Sequence, residues 1–424
     1  MFSFSDTESS ALALPYVVEK AYGLYPGLAS FSSDYSVENY RNWIEQSNGD
    51  PLPAPLALYI QDACEDDSPP VRGADISSSR RLHAVERELT LLGAFFATDR
   101  PLQQLICSGS IATDWTDDQL YRLIAVVQES FSADQNGISN WCACMGCVMP
   151  SQDRLRLLRI LGFNSVRFAC LDHQGAVNEL AELGMAIGWA RQLGIQQVVL
   201  DLRSHQPRPF MPLKTLESFL AEQYPERVRL VCAHHNGYQS LTGVLSSIGY
   251  ENIGHDWFLH RDDFCLRAKV AGQLCWSLLG FTELSNPDVI GIGPGAISSV
   301  GEFYAVNEPC WAPYQALLNQ QRIPMVGGIE LEADDVLRRE IMGMILATSC
   351  IRVAAVEEKW GIQFENYFAY EAECLRDFEQ ENWLEWQADC IRIRVQGCRE
   401  LTELCRLFDH RAREQLSRPT LSSV

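Results

Sequence analysis

The chain has 424 residues, of which 47% are hydrophobic and 21% are charged, as in a globular protein with a large buried core. Its formal net charge of −21 argues against a nucleic-acid or anionic-membrane partner, because like charges repel. No apolar run approaches the roughly 20 residues that a membrane-spanning helix needs. The chain has fifteen cysteines but is not a small secreted domain of the kind that disulfides stabilise. We therefore predict a cytoplasmic protein whose cysteines remain thiols or bind metal in a reducing compartment.

The N-terminal third of the chain begins with an arm, predicted over residues 1–50, and then a buried strand over 55–60. Apolar residues recur at helical spacing over 77–97 and predict a helix with one apolar face. Thr116 and Gln119 form a capping-box pair, which predicts that a further helix begins at about residue 117.

Strands and helices alternate from the first strand onward. Helices are predicted to close at Gly162 and Gly194, where glycine supplies the left-handed turn. The predicted strands of this alternation are 55–60, 105–107, 138–142, 165–169, 198–202 and 228–232. Six strands joined by crossover helices predict an α/β fold whose right-handed parallel sheet is curved or partly closed, a partial (β/α)6 TIM-like barrel.

The pattern changes after residue 249. Residues 253–258 are predicted to form a last edge strand, and a glycine-rich segment over 290–300 follows. The remaining sequence is helical and acidic. We therefore predict a barrel with an edge extension over 51–320 and a small α-rich C-terminal domain over 321–424.

Several local motifs resemble those of one enzyme family. They are YGLYP at 22–26, PLALYI at 55–60, YENIGHDWF at 250–258, GIGPGAIS at 291–298 and YAVN at 304–307. On these motifs the chain resembles the oxygen-independent coproporphyrinogen III oxidases, which are radical S-adenosylmethionine (SAM) enzymes of haem synthesis. The resemblance implies the radical-SAM type of barrel, and Tyr59 and Asp201 match family positions that contact the cofactor. Asp201 and Arg203 could form a retained site pair, although an aspartate at a strand end often only caps a helix or contacts a loop amide.

The family's cofactor motifs have changed in this sequence. The family binds a [4Fe–4S] cluster with C-x3-C-x2-C after the first strand; here Cys64 matches the first cysteine, but Ser68 and Val71 stand at the other two positions. A hydroxyl is a poor soft ligand and a valine is none. The glycine motif that cradles SAM reads SGSIAT at 108–113, and the third-strand E-V-D-P reads CMGC at 144–147. The resemblance therefore predicts that the family's SAM and [4Fe–4S] site is lost.

A cluster of cysteines stands at the same end of the predicted barrel. Cys142, Cys144 and Cys147 follow the third strand with C-x-C-x2-C spacing, and strand alternation places Cys142 and Cys144 on one face. Together with Cys64 they are candidate ligands for a soft metal, a relocated iron–sulfur cluster or haem iron. Further cysteines end other strands, Cys107, Cys170 and Cys232, so that seven thiols could form a ring around one mouth of the barrel. The alternative is that these thiols are inert small hydrophobes, which cysteine often is.

The glycine-rich segment is the predicted substrate pocket. GIGPG is not a dinucleotide-binding fingerprint, whereas the resemblance places this region in the lining of the substrate cavity. The candidate pocket residues are Gly293, Gly295, Ala296 and Ile297. A pocket shaped for a tetrapyrrole can thus persist without the radical machinery.

Three hypotheses about function remain. The first is a non-radical paralogue that binds haem or a porphyrin precursor, and it is the one that we favour. The second is an active anaerobic coproporphyrinogen III oxidase, with rebuilt cluster ligands, that decarboxylates two propionates to vinyls. The third is a pseudoenzyme that uses only its fold to interact with other proteins.

Overall fold

The structure is a computed structural model. It describes residues 24–62, 76–133, 139–171, 176–204, 211–232, 235–254, 256–395 and 398–417. The predicted cluster loop, with Cys64, therefore lies outside the described residues.

A curved parallel sheet forms the centre of the fold. Its parallel strands in the described residues are β1 (Leu56–Gln61), β2 (Pro101–Ser108), the short β3 (Ser132–Ala133), β4 (Asn140–Gly146), β5 (Ser165–Leu171), β6 (Gln197–Ser204), β7 (Arg227–Cys232) and β12 (Asp288–Ile292). Six of them are the six predicted strands, and the predicted α/β class is confirmed. β12 was not predicted as a parallel strand: it pairs with the outer edge of β1, so β1 lies inside the sheet.

Helices cover one face of the parallel strands. The helices of the first two thirds are α1 (Val37–Gly49), α2 (Ser78–Gly93), α3 (Ile111–Asp114), α4 (Asp117–Ser130), α5 (Gln152–Ile160), α6 (Ala176–Gln192), α7 (Leu213–Gln223), α8 (His235–Ser247), α9 (Phe264–Val270) and α10 (Trp311–Asn319). The predicted capping box is present, with Thr116 accepting from the Gln119 backbone and Gln119 from that of Thr116. The largest apolar core lies between this helical layer and the sheet.

Antiparallel strands extend both edges of the sheet. The predicted single edge strand is instead a hairpin of β8 (Tyr250–Gly254) and β9 (Trp257–His260), because the chain turns at Asp256, whose φ is +62°. β9 pairs with β7. On the other edge, β12 is followed by β13 (Ile297–Val300), β14 (Phe303–Asn307) and β15 (Met325–Glu330), and a separate hairpin pairs β10 (Cys275–Ser277) with β11 (Gly280–Thr282).

The C-terminal part is mostly helical and has its own apolar core. Its elements are α11 (Ala333–Thr348), α12 (Val353–Trp360), α13 (Phe364–Tyr367), α14 (Ala369–Gln380), α15 (Cys398–Phe408) and α16 (His410–Ser417), with a small sheet of β16 (Cys350–Ile351), β17 (Leu384–Trp386) and β18 (Ile391–Ile393). β15 lies within the predicted range 321–424, yet it pairs with β14 of the large sheet. None of the helices in the described residues is long and apolar enough to span a bilayer.

Candidate functional site

The candidate site lies on the inner face of the sheet, defined here as the face opposite the helical layer. Alternate residues of a strand point to opposite faces, so register decides which side chains meet there. Residues aligned across β4, β5, β6 and β7 place the following side chains in neighbouring rows of that face: Cys142, Cys144, Ser165, Arg167, Asp201, Arg203, Arg227 and Arg229.

Four of these residues are arginines, and we call them the arginine face: Arg167, Arg203, Arg227 and Arg229. Each has a side chain that is buried or half-buried. Two of the four guanidinium groups, those of Arg167 and Arg227, are paired with the carboxylates of Asp201 and Asp263. Sequence reasoning considered only Arg203; the others were detectable, because an arginine at alternate positions of a buried strand is unusual.

Asp201, the candidate cofactor contact on β6, interacts with two residues of the arginine face, Arg167 and Arg203. Arg167 donates to both of its oxygens, Nε to Oδ2 at 3.1 Å and Nη2 to Oδ1 at 2.9 Å. Arg203 Nη2 lies 3.9 Å from Oδ2, so the predicted pair of Asp201 and Arg203 is also present, at a longer distance. The nearby Asp201 carboxylate raises the pKa of Arg167, although desolvation by burial is the largest influence and opposes it.

Carboxylate and aromatic groups hold the rest of the arginine face. Arg227 donates to both oxygens of Asp263, at 2.8 and 3.1 Å, and its ring contact is with Phe264. The ring of Trp257 lies 5.4 Å from the guanidinium carbon of Arg167 and 5.8 Å from that of Arg229. Cation–π contacts of this kind orient an arginine without neutralising its charge.

Cys142 and Cys144 lie together on the inner face, as their alternation predicts. Cys142 is half-buried and Cys144 is buried. The pKa of the Cys142 thiol is lowered, chiefly by its hydrogen bond with Cys144, with Ser165 and the charges of Arg167 and Arg227 adding to the effect against burial. These two thiols are therefore the candidate metal ligands that the structure brings together.

Among the described residues, Cys107 and Cys170 do not belong to the predicted ring of thiols around one mouth of the barrel. Cys107 and Cys170 pack into the core between the sheet and the helical layer, since their positions in β2 and β5 point away from the inner face. Burial raises the pKa of Cys107 well above the usual range. Cys147 is exposed beyond the end of β4, and the side chain of Cys232 is outside the described part. No group of three or more His, Cys, Asp or Glu side chains converges as a metal site among the described residues.

Asp62 follows β1 directly and ties it to the segment that aligns with the family's glycine motif. Its carboxylate accepts hydrogen bonds from the Ser110 backbone at 2.8 Å and hydroxyl at 2.6 Å, from Trp115 Nε1 at 2.9 Å and from Arg81 Nη1 at 2.9 Å. Asp62 is 2% exposed. Sequence analysis missed it, although an aspartate at the carboxyl end of a buried parallel strand is a recognised signal of a functional or structural site.

Tyr59 and Ile297 pack in one apolar cluster on the inner face of the sheet. The other candidate pocket residues form the buried turn that joins β12 to β13. Gly293 adopts a φ of +114°, and its backbone N–H donates to Glu88 at 2.9 Å. The Gly295 N–H donates to the Glu308 carbonyl, and the Ala296 N–H donates to that of Gly293.

Glu88 of α2 is a fully buried carboxylate behind this turn, and sequence analysis missed it. Besides the Gly293 N–H, it accepts from the hydroxyl of Tyr314 and the amide of Asn307. Burial raises the pKa of Glu88 to about 7, although these hydrogen bonds oppose the shift. Its signal was its position three residues after Val85, within the apolar stripe of the predicted helix.

Comparisons with known proteins identify relatives over most of the chain. No protein-family model matches it. The chain is 23% identical over 449 aligned positions to the oxygen-independent coproporphyrinogen III oxidase of Escherichia coli strain K12, covering 95% of both chains. It is 23% identical over 430 positions to the protein of that name from Helicobacter pylori strain 26695, covering 92% of this chain and 93% of the relative. Among solved structures, coproporphyrinogen III oxidase from Escherichia coli, a radical SAM enzyme, matches with a TM-score of 0.80 and 22% identity over 92% of this chain and 96% of that one. The resemblance inferred from the sequence motifs is confirmed, and the shared fold is that of the radical SAM enzyme.

Proposed function

We propose that this relative of the oxygen-independent coproporphyrinogen III oxidases binds an anionic tetrapyrrole, haem or a porphyrin precursor, at the arginine face without generating radicals. The observation that carries the proposal is the arginine face itself. Haem and its precursors carry propionate groups, and a planar guanidinium fork matches a carboxylate with two parallel hydrogen bonds. Arg203, whose side chain is 13% exposed, lies nearest the carboxyl end of β6 and is the first residue that a propionate meets.

The family's SAM and [4Fe–4S] cofactors do not suit the residues of this chain. At the matched cluster positions one thiol stands beside a serine and a valine, which are not iron ligands of comparable strength. Two contacts support this proposal: Asp201 is hydrogen-bonded to Arg167, and the Ser110 N–H, in the segment that aligns with the family's glycine motif, donates to Asp62. We therefore derive no radical step.

A titration with haem and with coproporphyrin under anaerobic conditions tests the proposal. We expect saturable binding with a shifted Soret band, and an affinity that falls at least about tenfold in Arg203→Gln, as loss of one charge-assisted hydrogen-bonded pair implies. The matched control is Arg156→Gln, at an arginine of α5 whose side chain is 51% exposed. This variant should bind the tetrapyrrole as the wild type does. No binding of either tetrapyrrole, or equal binding by Arg203→Gln, contradicts the proposal.

A second candidate is an active coproporphyrinogen III oxidase with a rebuilt cluster. Its support is the similarity to the named oxidases over 95% of the chain. Iron and acid-labile sulfide in the anaerobically purified protein, together with formation of 5′-deoxyadenosine from SAM in proportion to bound cluster, would establish it. Absence of both tetrapyrrole binding and SAM cleavage would leave a protein-interaction role.

A further inference from the structure

Two cysteines of β4, Cys142 and Cys144, lie on the inner face of the sheet near two residues of the arginine face. Cys142 and Cys144 are alternate residues of β4, and their thiols hydrogen-bond with each other. The register places Cys142 beside Ser165 and Cys144 beside Arg167 on β5. The two side chains therefore project from the same face of β4, the inner face of the sheet.

Positive charge surrounds this pair. The guanidinium of Arg167 interacts electrostatically with both thiols, and that of Arg227 interacts with Cys142. Two thiolates bound to one monovalent cation carry a net charge of −1. These guanidinium groups lie on β5 and β7, on either side of β6, and are also paired with Asp201 and Asp263, so they offset part of that charge in a partly desolvated place, where an unpaired anion would be costly.

An internal disulfide is a poor alternative for these cysteines. Alternate residues of a strand have Cα atoms roughly 6.6 Å apart, near the upper limit for a disulfide. Their Cβ atoms also project in parallel, so the two sulfurs cannot meet at bonding distance without distorting β4. The geometry favours a reduced pair that holds an ion between its sulfurs.

We propose that Cys142 and Cys144 bind a single thiophilic monovalent metal ion, for which Cu(I) is the probe. Thiolates select soft ions of this class, and two-coordinate binding is compatible with a site that has two ligands rather than three. Binding replaces the two S–H protons with one ion, so each Cu(I) releases two protons and no electron is transferred. The site lies in rows of the inner face deeper than Arg203, and it does not depend on tetrapyrrole binding.

Competition between the reduced protein and a chromophoric Cu(I) chelator tests this site under anaerobic conditions. We expect the wild type to withdraw one Cu(I) from the chelator, and Cys142→Ser and Cys144→Ser each to bind that ion at least about 100-fold more weakly, since one thiolate remains. Cys310→Ser removes an exposed cysteine of α10's N-cap and is the matched control, expected to match the wild type. Circular dichroism of each variant verifies that it is folded.

Two results would overturn the proposal. One is a wild type that withdraws no copper from the chelator. The other is folded Cys142→Ser and Cys144→Ser variants that retain the tight ion, which would place it on other thiols. A measurement of protons released per Cu(I) provides an independent readout, with two expected for the wild type.

Discussion

The carboxylates of Asp62, directly after β1, and Asp201, within β6, are hydrogen-bonded to neighbouring side chains. Asp62 is bound by Ser110, Trp115 and Arg81, and Asp201 is bound by Arg167. A carboxylate that is already paired is costly to redirect to a ligand, because its partner would be left buried and unpaired. At the scale of residues, Asp62 and Asp201 therefore belong to internal hydrogen-bond networks of the protein.

Asp201→Asn should lower the free energy of unfolding by about 2–3 kcal/mol, because Arg167 loses its charged partner in a partly buried place. Urea denaturation of both proteins measures the difference. Asp153→Asn removes the carboxylate of an exposed pair with Arg156 and should change stability by less than about 1 kcal/mol. Equal stability of Asp201→Asn and the wild type would mean that Asp201 is free to contact a ligand.

Glu88 should make stability depend on pH. Its folded pKa of about 7 exceeds the ordinary value of 4.5, so its stabilising contribution is fully present below pH 4.5 and is lost as the pH rises through 7. The free energy of unfolding should fall by about 3 kcal/mol over this window on account of Glu88. In Glu88→Gln that part of the pH dependence should disappear, as urea denaturation at pH 5 and pH 8 would measure.

Glu45→Gln serves as the control for this pH dependence, because the Glu45 side chain is 57% exposed. It should retain the fall in stability between the two pH values. A fall of the same size in Glu88→Gln would assign the effect to another group.

Predictions about single residues were correct where the alternation of side chains along one strand decides which face a residue occupies. The shared face of Cys142 and Cys144 follows from a period of two, whereas the ring of seven thiols assumed that every strand-end cysteine points inward. Cys107 and Cys170 are one position out of phase and face the helices. The pairing of Arg167 with Asp201 requires the register between β5 and β6, which local sequence does not specify.

Among the elements, the turn between β12 and β13 is the one most constrained by close packing. A Cβ on Gly293 would lie 2.0 Å from the Gln61 carbonyl oxygen at the end of β1, and the φ of +114° is unfavourable for any other residue. The backbone of this turn is therefore packed directly against the end of β1.

Gly293→Ala should destabilise the protein by at least about 3 kcal/mol or prevent folding, since backbone strain and overpacking add. Thermal and urea denaturation would report the loss. The matched control is Gly188→Ala within α6, where an added Cβ meets no atom within 4 Å and should stabilise by about 0.5–1 kcal/mol. A well-folded Gly293→Ala of unchanged stability would contradict the observed packing.

Local signals predicted the six crossover-linked strands and several of the helices between them, but not α8. Caps, glycine stops and periodicity are encoded within each segment, as Thr116 and Gln119 show. The position of β12 was not predictable in this way, because its pairing with β1 joins segments far apart in sequence. In the β8–β9 hairpin Gly254 and Asp256 both have a positive φ, and the prediction of one continuous edge strand did not use the glycine as a turn signal.

For the whole molecule, the two largest apolar cores lie in different regions. One lies between the sheet and the helical layer, and the other is formed mainly by α11 to α16. Arg338 of α11 strengthens the second by donating to Asp334 at 2.7 Å, to Glu371 at 2.8 Å and to the Phe408 carbonyl at 3.2 Å. The proposed C-terminal domain has the interior that independent stability requires.

Phe408→Ala should destabilise that C-terminal core by about 3–5 kcal/mol, because Phe408 is fully buried within it. Hydrogen exchange should accelerate in α11 to α16 while amides of β1 to β7 keep their protection. Arg406→Ala, whose side chain is 60% exposed on the same helix, should leave both regions unchanged. Uniform acceleration in both regions would show a single cooperative unit instead.

The location of β12 beside β1 has a consequence for synthesis on the ribosome. When the strands up to β7 have emerged, one edge of β1 still presents unpaired backbone groups, since its second neighbour is made only at residues 288–292. An apolar strand with an open edge can join another chain. The nascent polypeptide therefore has a period of exposure to self-association that ends when this late segment docks, and slow translation between residues 232 and 288 would lengthen it.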